Sequence, residues 1–134
     1  MNVICVDHIG IAVKNLDETV KFYEDTLGVK CTGTEVVEEQ KVRVAFMPLG
    51  DCELEFLEST APDGPIARFI DKNGEGIQHL ALRVDDIEGA LKEMEEKGIR
   101  MIDTVPRYGA GNARIAFMHP KATKGILLEL SQRM

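Results

Sequence analysis

Three cysteines are few and odd in number, and Cys5, Cys31 and Cys52 show no C-x-x-C spacing. That excludes a disulfide framework and a zinc–thiolate site, both of which need paired or closely spaced thiols. No apolar run approaches the roughly 18–20 residues that cross a bilayer, so no membrane partner is expected. No block of lysine and arginine interrupts the acidic balance of a chain with net charge −7. Nucleic acid, whose phosphates require a concentrated positive stripe, is therefore not an expected partner. A small anionic ligand stays open, because its site needs only local positive charge. Met1–Val6 lack a basic n-region and a cleavage site, so a cytoplasmic location is expected. What is present, 134 residues with 44% hydrophobic and 29% charged, fits one soluble globular domain.

That domain repeats itself. Asp7-His8-Ile9-Gly10-Ile11-Ala12-Val13 aligns with Gln78-His79-Leu80-Ala81-Leu82-Arg83-Val84 at an offset of 71, histidine on histidine. Leu16 and Val20 fall on Ile87 and Leu91, and Ala45-Phe46-Met47 falls on Ala116-Phe117-Met118, at the same offset. Gly28-Val29-Lys30 matches Gly98-Ile99-Arg100 at 70, and Leu54-Glu55-Phe56 matches Leu128-Glu129-Leu130 at 74. Matches kept in order, with the drift confined to loops, mark a duplicated module. In each copy a period-two strand precedes an amphipathic helix, followed by three more strands. The expected strands are 6–13, 29–36, 42–48 and 52–58 in the first copy, then the aligned run from Gln78 to Val84 with 99–104, 113–118 and 126–131 in the second. The first helix is expected to be capped by Asn15 with Glu18 and ended by Gly28, the second capped by Asp85 with Glu88. A short helix from Pro65 to Asn73 joins the copies. The expected fold is α+β: module 1 over about 5–60, a linker helix over about 62–74, and module 2 over about 76–133. Two such β-α-β-β-β modules would form a curved eight-stranded mixed sheet around a metal site.

Four residues stand out against this background. Strand alternation puts His8 on a face with only Gly10 and Ala12, and His79 on a face with Ala81 and Arg83. Glu55 and Glu129 oppose the apolar pairs Leu54/Phe56 and Leu128/Leu130 on the last strand of their copies. A carboxylate aimed into an apolar interior is costly unless paired or bound to a cation. If the copies pack about a pseudo-twofold axis, two imidazoles and two carboxylates converge. Such a set suits Co²⁺, Mn²⁺, Ni²⁺, Fe²⁺ or Zn²⁺. His119, in the hairpin Met118-His119-Pro120-Lys121, has no counterpart histidine and fits a loop role better than ligation.

These motifs resemble the vicinal oxygen chelate superfamily and, within it, the methylmalonyl-CoA epimerases. The general likeness runs from Asp7-His8-Ile9-Gly10 to Leu127-Leu128-Glu129-Leu130. The more specific part is Asp71-Lys72-Asn73-Gly74-Glu75-Gly76-Ile77-Gln78-His79, with the closing hairpin from Phe117-Met118-His119-Pro120-Lys121 to Glu129. The resemblance implies one divalent cation, Co²⁺ ahead of the other four, at His8, Glu55, His79 and Glu129. It implies proton abstraction and return at the carbon between thioester and carboxylate, with Glu129 as one acid/base residue. Bacterial relatives often carry the second catalytic glutamate where this chain has Val44, and glutamine where it has Glu55. Glu55, which the internal twofold relates to Glu129, is the expected opposite-face carboxyl; the alternative is that Glu55 only ligates and a water relays the proton. An acyl-CoA substrate and a homodimer are also implied.

For substrate contacts, the loop Arg107-Tyr108-Gly109-Ala110-Gly111-Asn112 offers backbone amides for a carboxylate. Arg107, Arg114, Lys121 and Lys124 are the basic residues expected near CoA phosphates. A glyoxalase I-like lyase acting on a glutathione thiohemiacetal would suit the same four residues; the other alternative is a non-catalytic small-molecule binder of the same fold, a class that commonly lacks them.

Overall fold

The computed structural model describes residues 1–134. Its elements are β1 (Val3–Ala12), α1 (Leu16–Leu27), β2 (Gly33–Val37), β3 (Val42–Leu49), β4 (Cys52–Ser59), α2 (Pro65–Asn73), β5 (Gly76–Val84), α3 (Ile87–Glu96), β6 (Arg107–Gly109), β7 (Ala113–Met118) and β8 (Leu128–Arg133). The expected α+β class with eight strands of mixed direction is what the structure shows. The chain forms two compact units, one of His8–Gln78 and one of Met1–Asp7 with His79–Met134.

In the unit of His8–Gln78 the strand order is β2-β3-β4-β1, with β1 parallel to β4 and the other pairs antiparallel. Ile11, Val13, Leu54 and Phe56 point to one face, where α1 covers them. Val13, Leu16, Ala45, Met47 and Phe56 are all buried there, with Val20 and Tyr23 packed against them. The Tyr23 ring lies 4.7 Å from that of Phe56. Full burial of Leu16, Met47 and Phe56 stabilises the unit by roughly 1.5–3 kcal/mol each. The helix begins where the Asn15 side chain accepts the Glu18 N–H at 3.0 Å, and it ends at Gly28 with φ of 68°. A left-handed φ of that kind carries no Cβ penalty for glycine.

The second unit repeats the plan as β5-β8-β7-β6, with β5 parallel to β8. α3 covers Val84, Ala116 and Leu130 through Ile87, Ala90 and Leu91, and Met1 packs against the same cluster. The start of each long helix is clamped in the same way. Glu58 of β4 accepts the Leu16 N–H at 3.1 Å, and Gln132 of β8 accepts the Ile87 N–H at 2.9 Å. Arg43 holds Asp17 at 3.0 Å, and Arg114 holds Glu88 at 3.2 Å. Each clamp satisfies an N–H that the helix itself leaves open.

Several expected boundaries shift, for identifiable reasons. β2 starts at Gly33 rather than 29, because Val29 donates back to the Tyr23 carbonyl and Cys31 to the Glu24 carboxylate, completing the helix end. No strand forms over 99–104 beyond a single bridge from Met101 to Met118. There Ile102 and Asp103 both donate to one carbonyl, that of Phe117, while the Asp103 carboxylate takes the Phe117 N–H, so a regular ladder cannot continue. The strand in that position is Arg107–Gly109, inside the expected loop, and the last strand runs Leu128–Arg133 rather than 126–131. Asp86, not Asp85, caps α3 through the Gly89 N–H; Asp85 accepts instead from the backbone and side chain of Asn2. The three cysteines are free. No helix is long and apolar enough to cross a membrane.

Candidate functional site

Each unit carries one buried histidine–glutamate pair, built by the same strand geometry. In the first, Gly10 of β1 lies opposite Glu55 of β4, and His8 Nδ1 stands 3.3 Å from Glu55 Oε2. In the second, Ala81 of β5 lies opposite Glu129 of β8, and His79 Nε2 stands 3.4 Å from Glu129 Oε1. Gly10 and Ala81 are themselves equivalent in the repeat, so the duplication extends to strand register. His8, Glu55, His79 and Glu129 are only 3–6% exposed. The strand alternation that sends Leu54, Phe56, Leu128 and Leu130 into the helix-covered cores leaves each glutamate no choice but the other face.

The donor set fits a divalent cation. Charge-assisted N–H···O contacts run to about 2.7–2.9 Å, shorter than either pair. Two donors each about 2.1 Å from one metal stand roughly 3.0–3.4 Å apart in octahedral or tetrahedral geometry, which matches both. Neutral imidazole with carboxylate suits late first-row ions.

Around His79 the second unit adds further groups. Phe117 meets the imidazole edge-on, ring centroids 5.5 Å apart. Arg107 stacks 5.7 Å above the Phe117 ring and is held at Nε by Asp103 Oδ1 at 3.2 Å. Asp7, 1% exposed, accepts from Arg83 Nε at 2.8 Å and from Arg133 Nε and Nη2 at 2.9 and 2.8 Å. Its hydrogen bond raises the Arg83 pKa above the ordinary value. Neither Asp7 nor Asp103 is singled out by the sequence, since Asp7 falls on Gln78 rather than on a second aspartate and Asp103 lies outside the matched segments. What ties Asp7 to its arginines is a contact across up to 126 residues.

The remaining expected residues divide. Arg107 shares the face of Phe117 and Glu129. Gly109 lets β6 approach β7, since a Cβ there would stand 2.5 Å from Ile115. Gly111 and Asn112 turn the hairpin with φ of 78° and 59°. Arg114 belongs to the opposite face, beside Gln132, and pairs with Glu88 of α3. The Lys121 N–H donates to His119 Nδ1, and Lys124 occupies a left-handed turn; both side chains are exposed. Val44 is buried on β3, with Leu57 across on β4 and the half-buried Glu35 across on β2. Glu35 is a carboxylate on that face which only the hairpin register reveals. An open hollow of about 590 Å³, lined by Ile11, Tyr23 and Phe56, lies on the α1 side of the strands, away from the His8–Glu55 pair.

The profile of the Glyoxalase/Bleomycin resistance protein/Dioxygenase superfamily matches residues 7–117. The chain belongs to that superfamily. Among members of known sequence, it is 39% identical over 127 residues to the uncharacterised YqjC of Bacillus subtilis, covering 95% of this chain and 91% of that one. It is 34% identical over 128 residues to the mitochondrial methylmalonyl-CoA epimerase of Homo sapiens, covering 95% and 73%. Among solved structures of the superfamily, a methylmalonyl-CoA epimerase in complex with methylmalonyl-CoA and NH4+ superposes with a TM-score of 0.93. That match is 38% identical and covers 98% of this chain and 96% of the other. The glyoxalase-like fold is thus shared along nearly the whole length of the chain.

Proposed function

We propose that this protein interconverts the 2R and 2S forms of methylmalonyl-CoA by removing and returning the proton at C2. The observation that carries this reading is the buried histidine–glutamate pair repeated at equivalent register in both units. Similarity to epimerases over almost the full chain supports it. In this reading His8, Glu55, His79 and Glu129 hold one divalent cation, Co²⁺ before Mn²⁺, Ni²⁺, Zn²⁺ or Fe²⁺. When bound, such a cation would supply Lewis acidity where the enolate charge develops.

The rest falls to the chain's own groups. Glu129 takes the C2 proton on one face of the substrate and Glu55 returns one on the other, each a positioned carboxyl acting as acid or base. With Val44 apolar and buried, β3 has no carboxylate at that point, and Glu55 takes the second role. Near-complete burial of both pairs keeps bulk water from competing for the proton. The 107–112 loop, Lys121 and Lys124 face the acyl-CoA. A homodimer located in the cytoplasm completes the reading.

The test uses purified protein of measured metal content, in D2O, with methylmalonyl-CoA and separately with the methylglyoxal–glutathione adduct. Exchange at C2 with loss of stereochemical purity is expected in the first, and no turnover in the second. Turnover of the adduct without C2 exchange overturns the proposal in favour of a lyase. Neither reaction, with no bound metal, points to a binding protein. Glu55→Gln isolates the proton step: retained epimerisation rules out Glu55 as a donor.

A further inference from the structure

Arg107 lies one aromatic ring away from His79. It pairs with Ile115 across β6 and β7, and so shares the face that carries Phe117 and Glu129. Its guanidinium carbon stands 5.7 Å from the centre of the Phe117 ring, and that ring meets the His79 imidazole at 5.5 Å. One carboxylate ties the arrangement together: Asp103 Oδ1 is 3.2 Å from Arg107 Nε, while Oδ2 accepts the Phe117 N–H at 2.9 Å. Asp103 engages only the Nε edge, and the Arg107 side chain is 40% exposed, leaving its two terminal nitrogens to donate elsewhere. The arginines of β5, β7 and β8 differ. Arg83 and Arg133 are engaged by the buried Asp7, and Arg114 by Glu88 on the opposite face.

We propose that Arg107 binds the free carboxylate of the acyl group, and so selects 2-carboxyacyl thioesters over plain acyl thioesters. This rests on the epimerase reading above. A planar guanidinium presents parallel donors that match a carboxylate, and a fixed one retains more of the interaction than a mobile one. The Phe117 face and the Asp103 contact at Nε together restrain where the guanidinium sits. A CoA phosphate is a poorer match, because the whole pantetheine arm separates it from the thioester and the acyl group. Pairing the carboxylate with a cation also lowers the repulsion that it would exert on the growing enolate.

Malonyl-CoA and acetyl-CoA differ by that one carboxylate and serve as probes. Calorimetric titration of each into the full chain, metal-loaded and after EDTA treatment, is compared for wild type, Arg107→Gln and Arg107→Lys. Wild type is expected to prefer malonyl-CoA in both conditions. Arg107→Gln should lose about tenfold or more of its malonyl-CoA affinity, as expected for one charge-assisted contact, with acetyl-CoA binding unchanged. Arg107→Lys, which keeps the charge but not the fork, should fall between. An unchanged preference in Arg107→Gln overturns the proposal, as does an equal loss for both ligands, which would mean that Arg107 meets the CoA portion. If metal-loaded wild type shows no preference, the epimerase reading itself fails, and this assignment with it.

Discussion

Replacing Asp7 by asparagine removes one charge while keeping the side chain's shape. The carboxylate is 1% exposed and accepts three charge-assisted hydrogen bonds of 2.8–2.9 Å, one from Arg83 and two from Arg133. Breaking one partner of a buried ion pair costs about 3–5 kcal/mol. Here the two arginine side chains are 32% and 30% exposed, so water recovers part of the loss. The asparagine carbonyl also retains an acceptor, although its amide then faces a guanidinium. The expected destabilisation is about 2–3 kcal/mol, a large share of the roughly 5–15 kcal/mol that holds a domain of this size. Urea unfolding followed by circular dichroism should show the midpoint falling at constant slope. Asp85→Asn is the control, since Asp85 accepts from Asn2 at the exposed surface, and it should cost less than about 1 kcal/mol. A cycle combining Asp7→Asn with Arg133→Gln should return at least about 1 kcal/mol of coupling. If Asp7→Asn costs no more than Asp85→Asn, the three bonds are not what holds Met1–Asp7 to the second half of the chain.

The duplicated helix clamp predicts matched losses. Glu58→Ala and Gln132→Ala should each cost about 1 kcal/mol in urea unfolding, and additively in the double variant; strongly unequal or coupled losses would contradict equivalent roles. His119 should titrate below its reference value of 6.5, because partial desolvation first, then Arg100 and Lys121, disfavour its charged form. Its Nδ1 accepts the Lys121 N–H, a bond that protonation there abolishes. The unfolded chain therefore binds the proton more readily, and this contribution to stability, present above pH 6.5, is lost as pH falls through the lower folded value. An NMR titration of the His119 ring with its midpoint at or above 6.5 refutes the account.

Much of this architecture was legible because the repeat made each half a check on the other. His8, Gly10 and Ala12 against Gln78 to Arg83 gave both strand phase and the face of each histidine, and the structure keeps that phase. Helix ends were legible where a single residue decides them, as Asn15 and Gly28 do. Period-two and helical spacing could not separate Asp85 from Asp86 as a cap, since the choice depends on Asn2, 83 residues away. The strand expected over 99–104 failed for a similar reason: Asp103 spends its carboxylate on Phe117 and Arg107, a tertiary contact that no local pattern announces. The faces of Arg107 and Arg114 likewise needed the β6–β7–β8 register, which puts the first beside Phe117 and the second against α3.

One unit of this chain is continuous, His8 to Gln78, whereas the other joins the first seven residues to the last fifty-six. During synthesis the continuous unit has all of its partners once Gln78 has left the ribosome. Asp7 instead emerges before that unit, and Arg133, which grips it, emerges after it, 126 residues further on. The Asp7 carboxylate must therefore wait for its arginines across the whole of the continuous unit, and closing that long loop is a slow event. Substitutions at Asp7 or Arg133 should accordingly reduce the yield of folded protein in cells more than their equilibrium cost alone implies.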